Sequence, residues 1–179
     1  MKRAFTLIEM MVVLSISLFL SAIVFPTYSR QLERARFEVF ASELTGHLLL
    51  ARRRAVLAGE SVHMDFSESD SWRFRSLVED SEGQWREISR STATAGNDDF
   101  KSRLPDFPLP HPTQPRNIQQ ALSSLHAPEV IFTPKGSSSA TLVFCDNRNQ
   151  VICAVISGQT GRFRIFTWDE SSGDWKVYF

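Results

Sequence analysis

Residues 5–25 read FTLIEMMVVLSISLFLSAIVF, an apolar run that contains a single ionisable side chain, Glu9. The run is long enough to cross a bilayer, which takes about 20 apolar residues. A carboxylate at that depth costs about 2.5–3.5 kcal/mol on insertion scales and usually has a partner. Because no other residue of the run carries a charge, the sequence predicts that the partner of Glu9 is external, on another chain or a charged terminus.

The residues before the run set its orientation. Lys2 and Arg3 precede it, so the positive-inside bias places the N-terminus in the cytoplasm and the rest of the chain on the other side of the membrane. A removable signal peptide has a shorter apolar core, about 7–15 residues. The small residues around Ala22 form only a weak cleavage site. We therefore expect a single-pass protein of the bacterial inner membrane whose C-terminal domain lies in the periplasm.

The first ten residues, MKRAFTLIEM, carry a family resemblance. They resemble the class III signal of type IV pilins and type II secretion pseudopilins. The resemblance implies that a prepilin peptidase removes residues 1–4, cutting between Ala4 and Phe5, and methylates Phe5. Ala4 stands where the family usually has glycine. The resemblance also implies that Glu9 faces the freed amine of an adjacent subunit during assembly, so the partners are other pilins or pseudopilins.

The apolar pattern continues beyond the predicted membrane segment, residues 5–27. Residues 28–59 are amphipathic, and their apolar members recur at spacings of three and four, which trace one face of a helix. Gly59 is a predicted C-cap, and Pro26 predicts a kink or a local break. In the first half of the helix, the apolar residues have no folded domain to bury them. In the second half, they form a stripe along one face, on which a folded domain can pack. The stripe comprises Phe37, Phe40, Ala41, Leu44, Leu48, Ala51 and Ala55.

Residues 60–179 are predicted to form one β domain, which gives an α+β fold with an antiparallel sheet or sandwich packed on the helix. Six of the eight prolines fall within 89–128, so we expect a long surface loop at about 90–128, with a short helical turn at 117–125. The predicted strands are short, alternating or apolar segments between turn residues. They are Val62–Phe66, Trp72–Leu77, Gln84–Ile88, Thr141–Phe144, Val151–Ile156, Arg162–Phe166 and Trp175–Phe179.

Two cysteines, Cys145 and Cys153, lie on either side of the turn-forming residues 146–150, which favour a hairpin. In an oxidising periplasm a disulfide persists. If the cysteines face each other across the hairpin, their separation suits a bridge. The alternative is a pair of buried thiols. A metal site is not expected, since two cysteines without neighbouring histidines do not complete a tetrahedral set.

The C-terminal half is similar to the GspH/FimT domain of minor pseudopilins and minor type IV pilins, on the segments 130–136, 142–146, 155–157 and 160–165. In FimT-type DNA-uptake pilins, a Gly-Arg-x-Arg motif is implicated in DNA binding. Here the motif is Gly161-Arg-Phe-Arg164, and Arg162 and Arg164 would share one face of a strand. The alternative is that both arginines pair with the nearby acids Asp169, Glu170 and Asp174.

The remaining composition favours a structural protein. Formal net charge is zero, so no global field attracts nucleic acid. The four histidines lack ligand spacing, no phosphate loop or nucleophile motif occurs, and we expect no cofactor, no metal and no enzymatic activity. The arginine run 52–54 is expected to be solvated or to bridge to the domain. The resemblance implies a minor pseudopilin of the type II secretion pseudopilus, and the alternative is a FimT-like minor type IV pilin in pilus biogenesis or DNA uptake. A monomeric anchored binding module would leave Glu9 unexplained.

Overall fold

The structure is a computed structural model that describes residues 6–66, 72–80, 82–92, 105, 107–115, 117–118, 129–146 and 150–179. The chain divides into two compact units, residues 1–39 and 40–179. One helix, α1 (Leu7–Ala58), contributes to both. It has 52 residues, which corresponds to about 78 Å at 1.5 Å per residue. The helix continues through Pro26, so the local break, one of the two predicted possibilities at this position, is wrong. A proline removes only one hydrogen-bond donor from a helix, and the neighbouring residues can continue it.

The first unit exposes the apolar run. Leu7, Phe19 and Phe25 are 81%, 74% and 76% exposed within the chain. The hydroxyls of the three serines in the run donate to the backbone carbonyls four residues earlier, at 2.8–2.9 Å, so these polar groups are satisfied inside the helix. Among the described residues, no helix meets the combined requirements of length and apolarity for a membrane crossing.

The second unit is organised around the C-terminal part of α1, and the predicted stripe forms its contact face. Phe40, Leu44 and Leu48 are fully buried, and so are the alanines at 41, 51 and 55, while Phe37 in the first unit is partly exposed. The helix ends at Ala58, and Gly59 adopts a φ of 70°, which confirms the predicted C-cap. The period of the apolar residues thus identified the buried face.

In the described part of the chain, nine strands follow the helix. They are β1 (Val62–Asp65), β2 (Trp72–Glu79), β3 (Trp85–Thr92), β4 (Glu129–Thr133), β5 (Gly136–Ser137), β6 (Ala140–Cys145), β7 (Val151–Ile156), β8 (Phe163–Asp169) and β9 (Asp174–Val177). They form two antiparallel sheets, with the orders β3-β2-β1-β4-β5 and β6-β7-β8-β9, which confirms the α+β fold. All seven predicted strands are present, whereas β4 and β5 were not among them.

An aromatic cluster joins the helix to both sheets. Phe40 of α1 contacts Phe74 of β2 with ring centroids 6.5 Å apart and Phe144 of β6 at 5.2 Å, both edge to face. Phe66, which follows β1, contacts the same two rings at 6.2 and 6.1 Å. Edge-to-face pairs of this kind stabilise a core beyond the burial of their area, by about 0.5–1.5 kcal/mol each. The domain core therefore lies between α1 and the two sheets.

Part of the predicted surface loop is buried, which corrects that prediction. We call residues 107–115 and 117–118 the strap. Leu109 and Ile118 are fully buried and pack with Val143, Cys153 and Phe166 of the smaller sheet. The Ile118 amide donates to the carbonyl of Leu109 at 2.8 Å. The prolines stop regular structure but leave apolar side chains free to cover a sheet. Most of the predicted helical turn at 117–125 lies outside the described residues.

Candidate functional site

The N-terminus of α1 is closed by a capping box that the sequence interpretation missed. The Thr6 amide and the Thr6 hydroxyl both donate to Oε2 of Glu9 at 2.9 Å, and the Glu9 amide donates to Thr6 Oγ1 at 3.3 Å. Thr6 precedes the first helical residue, and Glu9 is the third, which is the Ser/Thr-x-x-Glu arrangement. Two backbone donors that have no partner inside the helix are thereby satisfied.

The capping box corrects the prediction that Glu9 has no partner within the run. The partner is local, and its signal was present in the sequence as Thr-Leu-Ile-Glu. A threonine is neutral, so a pattern of opposite charges does not reveal it. The carboxylate is held at the positive end of the helix dipole. The predicted processing residues, Ala4 and Phe5, lie outside the described residues.

The two cysteines lie in neighbouring strands as buried thiols, so the predicted disulfide is wrong. Their register explains this result. Cys145 is opposite Val151, and Cys153 is opposite Val143, so the thiols occupy diagonal positions two residues apart. Diagonal neighbours lie about 7–8 Å apart, which exceeds the separation that a disulfide accepts. Burial raises the pKa of the Cys153 thiol, and the Cys145 thiol donates to the carbonyl of Asp146 at 3.4 Å.

The predicted DNA-binding arginines are positioned by a tight turn between β7 and β8. The Gly161 amide donates to the Ser157 carbonyl and the Ser157 amide to the Arg162 carbonyl, both at 2.8 Å. Gly161 has a φ of 61°, a backbone conformation that side chains disfavour. Arg162 leaves this turn, and Arg164 follows one residue into β8, opposite Val155. Both arginine side chains are exposed.

A third arginine, which the sequence did not associate with the motif, joins this pair. Arg52, Arg162 and Arg164 line one cavity of about 510 Å³, and the Arg52 guanidinium donates to the Thr160 carbonyl at 3.4 Å. The sequence grouped Arg52 with Arg53 and Arg54 as a run of charges that is solvated or bridges to the domain. Only the packing of α1 beside the β7–β8 turn brings this side chain to the Gly-Arg-x-Arg motif.

The alternative pairing of these arginines with nearby acids does not occur. Asp169 forms an ion pair with Lys176, and its carboxylate also accepts from Ser171. The Lys176 ammonium, followed by Ser171, keeps the pKa of the Asp169 carboxyl below its ordinary value. Asp174 accepts from the Trp175 amide. Within the described ranges, Arg162 and Arg164 have no ion pair with an acid.

Three histidines are described, and they lie apart from one another. His47 contacts the ring of Phe74, His63 pairs with Glu129, and His111 is buried in the strap. The described residues contain no group of three potential metal ligands.

Comparison with known proteins identifies two segments. Residues 1–25 match the prokaryotic N-terminal methylation motif, and residues 41–161 match the family described as type II transport protein GspH. The second match includes the buried half of α1 and reaches Gly161 at the turn.

One curated relative is the type II secretion system protein H of Escherichia coli (strain K12). It is 34% identical over 102 residues, which cover 48% of this chain and 60% of the relative's length. No solved structure matches the chain. Since the family match covers more than half of the 179 residues, the chain belongs to the GspH family of type II transport proteins.

Proposed function

We propose that this protein is a minor pseudopilin, a structural subunit of the pseudopilus of a type II secretion system. Membership of the GspH family, the N-terminal methylation motif and the relative named type II secretion system protein H support this function. The observation that carries it is a single helix, α1, whose apolar start is exposed and whose end forms the core of a β domain. Such a helix can pack against equivalent helices at one end while it displays a domain at the other.

In this proposal, residues 5–27 hold the protein in the inner membrane before assembly, with the N-terminus in the cytoplasm and residues 60–179 in the periplasm. The support is the apolar sequence of residues 5–25 and the basic residues Lys2 and Arg3 before it. The internal hydrogen bonds of the serine hydroxyls are consistent with an apolar surrounding.

During assembly, the helix leaves lipid and packs against neighbouring helices. Glu9 then exchanges its contact with Thr6 for the N-terminal amine of an adjacent subunit. An ion pair in apolar surroundings requires both partners, because an unpaired charge there is costly. The pairing therefore selects a defined register between subunits. Prepilin peptidase supplies the amine by removing residues 1–4.

The processing step has a direct test. Intact-mass measurement and N-terminal sequencing of protein extracted from membranes should find a chain that begins with methylated Phe5. An Ala4→Gly variant, which restores the usual family residue, should be processed at least as fast. A mature chain that begins near Ile23 would show an ordinary signal peptide and contradict the proposal.

A second candidate function, DNA uptake by a FimT-like minor pilin, is favoured by one observation. Arg162 and Arg164 are exposed and share a cavity with Arg52. If the arginines contact phosphates, duplex DNA should bind the full-length protein without sequence preference, and its affinity should fall steeply with salt. Gln at both positions should reduce the salt slope by about two phosphate contacts. The secretion function instead predicts little binding near physiological salt.

A further inference from the structure

We call the cavity beside the β7–β8 turn the arginine cavity. Its arginines have no role in the proposed assembly through α1. Among the described residues, its lining includes Arg52, Arg162 and Arg164 and no acidic side chain. Asp169 lies in the same strand as Arg164, and its carboxylate forms an ion pair with Lys176. Three arginines line one concave surface, so an anion that enters the cavity is attracted by their positive charges.

The arginine cavity is held by backbone structure. Arg52 lies in α1 and is tied to the turn through the Thr160 carbonyl. A Cβ atom at Gly161 would lie 3.4 Å from the Gly136 carbonyl oxygen and 3.7 Å from Arg52 Nε, so the turn packs closely on the helix side chain. The Arg162 amide donates to Thr160 Oγ1 at 3.2 Å. The turn backbone that carries Arg162 and the guanidinium of Arg52 are therefore ordered before a ligand arrives, which reduces the entropic cost of binding.

One wall of the arginine cavity is apolar. Phe163 and Phe179 stack with ring centroids 5.5 Å apart and an interplanar angle of 26°. Phe163 is buried, whereas Phe179 is 50% exposed and Leu49 of α1 is 42% exposed. A ligand that fits this surface has an anionic group for the arginines and an apolar group beside it for the ring and the leucine.

We propose that the arginine cavity binds an acidic segment of another polypeptide, in which an Asp or Glu side chain lies beside an aromatic or aliphatic one. The planar guanidinium fork matches a carboxylate with two parallel hydrogen bonds. A volume of about 510 Å³ suits a few side chains and falls within the range of ordinary ligand sites. The proposal is compatible with a subunit of a secretion pseudopilus or of a pilus, and it competes with the DNA-uptake candidate, which assigns Arg162 and Arg164 to phosphate.

The charge distribution favours a peptide over a nucleic acid. Nucleic-acid binding depends on a field that extends along the backbone of the ligand, and this chain has a formal net charge of zero. The three arginines are concentrated in one concavity with the apolar wall next to them. Carboxylate and apolar side chains alternate within a few ångströms on a peptide, which matches that arrangement.

A peptide selection tests the proposal even though the partner is unidentified. A displayed library of random short peptides is selected on the full-length protein in lipid nanodiscs. Parallel selections use an Arg162→Gln/Arg164→Gln double variant, an Arg52→Gln variant and an Arg53→Gln control. Arg53 is the exposed neighbour of Arg52 on α1 and does not line the cavity. The control removes the same charge, so it separates the cavity from the general electrostatics of the surface.

The expected result is enrichment of peptides with Asp or Glu next to Phe, Leu or Trp on the wild type and on the Arg53→Gln control. A synthetic peptide from the dominant clone should lose at least about tenfold in affinity for the double variant. Its analogue with Gln in place of the acid should lose a similar factor. Lys at positions 162 and 164 should recover only part of the affinity, because Lys keeps the charge but lacks the fork.

Two outcomes would overturn the proposal. One is that the wild type and the double variant enrich the same peptides, or that no acidic peptide is enriched on the wild type. The other is that a single-stranded oligonucleotide binds the wild type in an arginine-dependent manner while the peptide pools do not depend on the arginines. That second result would assign the cavity to phosphate. Thermal melting of each variant confirms that the exposed substitutions leave the fold intact.

Discussion

The Thr6 hydroxyl and amide both donate to the carboxylate of Glu9, so the charge in the apolar run is anchored to the first turn of its own helix. Glu9 therefore has a partner before any other subunit arrives. The pairing with a neighbour's amine that we propose is therefore an exchange of partners. It stabilises the assembly by less than it would if the Glu9 carboxylate had no partner before assembly. Thr6 in this view positions the carboxylate at the helix end.

Substitutions at Glu9 separate its capping role from its charge. Gln at position 9 keeps an acceptor for Thr6, since Gln also completes a capping box, but it has no charge. Leu removes both properties. We expect both variants to insert in the membrane at least as well as the wild type, because the cost of the charge is gone. Both should fail to restore secretion in a strain that lacks the native copy.

The matched variant is Thr6→Val, which removes the side-chain half of the capping box and keeps the Glu9 charge. It should destabilise the helix end by about 1 kcal/mol and retain secretion. Secretion by Glu9→Gln at the wild-type level would show that capping is sufficient and that the charge has no role between subunits.

The strap should be a stabilising element despite its prolines. Leu109 is fully buried against the smaller sheet, so Leu109→Ala should lower the free energy of unfolding by about 2–5 kcal/mol. Leu57→Ala is the control, because Leu57 is 73% exposed and its loss should cost little. Chemical denaturation monitored by tryptophan fluorescence measures both. Equal effects of the two substitutions would mean that the strap does not cover the sheet in solution.

The cysteines should react as two thiols. Denatured, unreduced protein should take up two equivalents of a thiol reagent, and a Cys153→Ser variant should take up one. Native protein should react slowly, because both thiols are buried and burial raises the pKa of Cys153, which lowers its thiolate fraction. Denatured wild type that takes up no reagent would reveal a disulfide and contradict the diagonal register.

Stability should fall when the pH drops below about 6.5, because of His111. Burial lowers the pKa of this histidine, so the unfolded chain binds the proton more readily than the folded one. Stability is therefore complete above the unfolded pKa and decreases as the pH falls toward the lower folded pKa. His111 Nδ1 accepts from the Thr113 amide at 3.1 Å, which fits the neutral ring.

His111→Asn tests this assignment, because its amide oxygen can accept the same bond and does not titrate. The variant should show a weaker dependence of the melting temperature on pH between 7.5 and 5 than the wild type. Burial also lowers the pKa of His47, so a residual dependence should remain and should decrease further in a His47→Gln/His111→Asn double variant. An unchanged pH profile in the single variant would exclude His111 as a source.

Much of the fold could be predicted because periodicity reports burial directly. The spacing of Phe40, Leu44 and Leu48 identified the buried face of α1, and Gly59 identified its end. The strands were recognisable by β-branched and aromatic residues between turns. The capping box is equally local, as Thr6 and Glu9 lie three residues apart, but its neutral threonine leaves no trace in the pattern of charges.

The sequence by itself determined the helix, seven of the strands and the family signals at residues 1–25, since these depend on contacts between residues close in the chain. Tertiary structure alone decided the relations between distant segments. Strand register placed Cys145 and Cys153 on a diagonal, apolar burial drew Leu109 of the strap onto a sheet, and the packing of α1 brought Arg52 to Arg162 and Arg164. A local pattern cannot specify such relations, because they depend on which surfaces are left for each segment to cover once the others have packed.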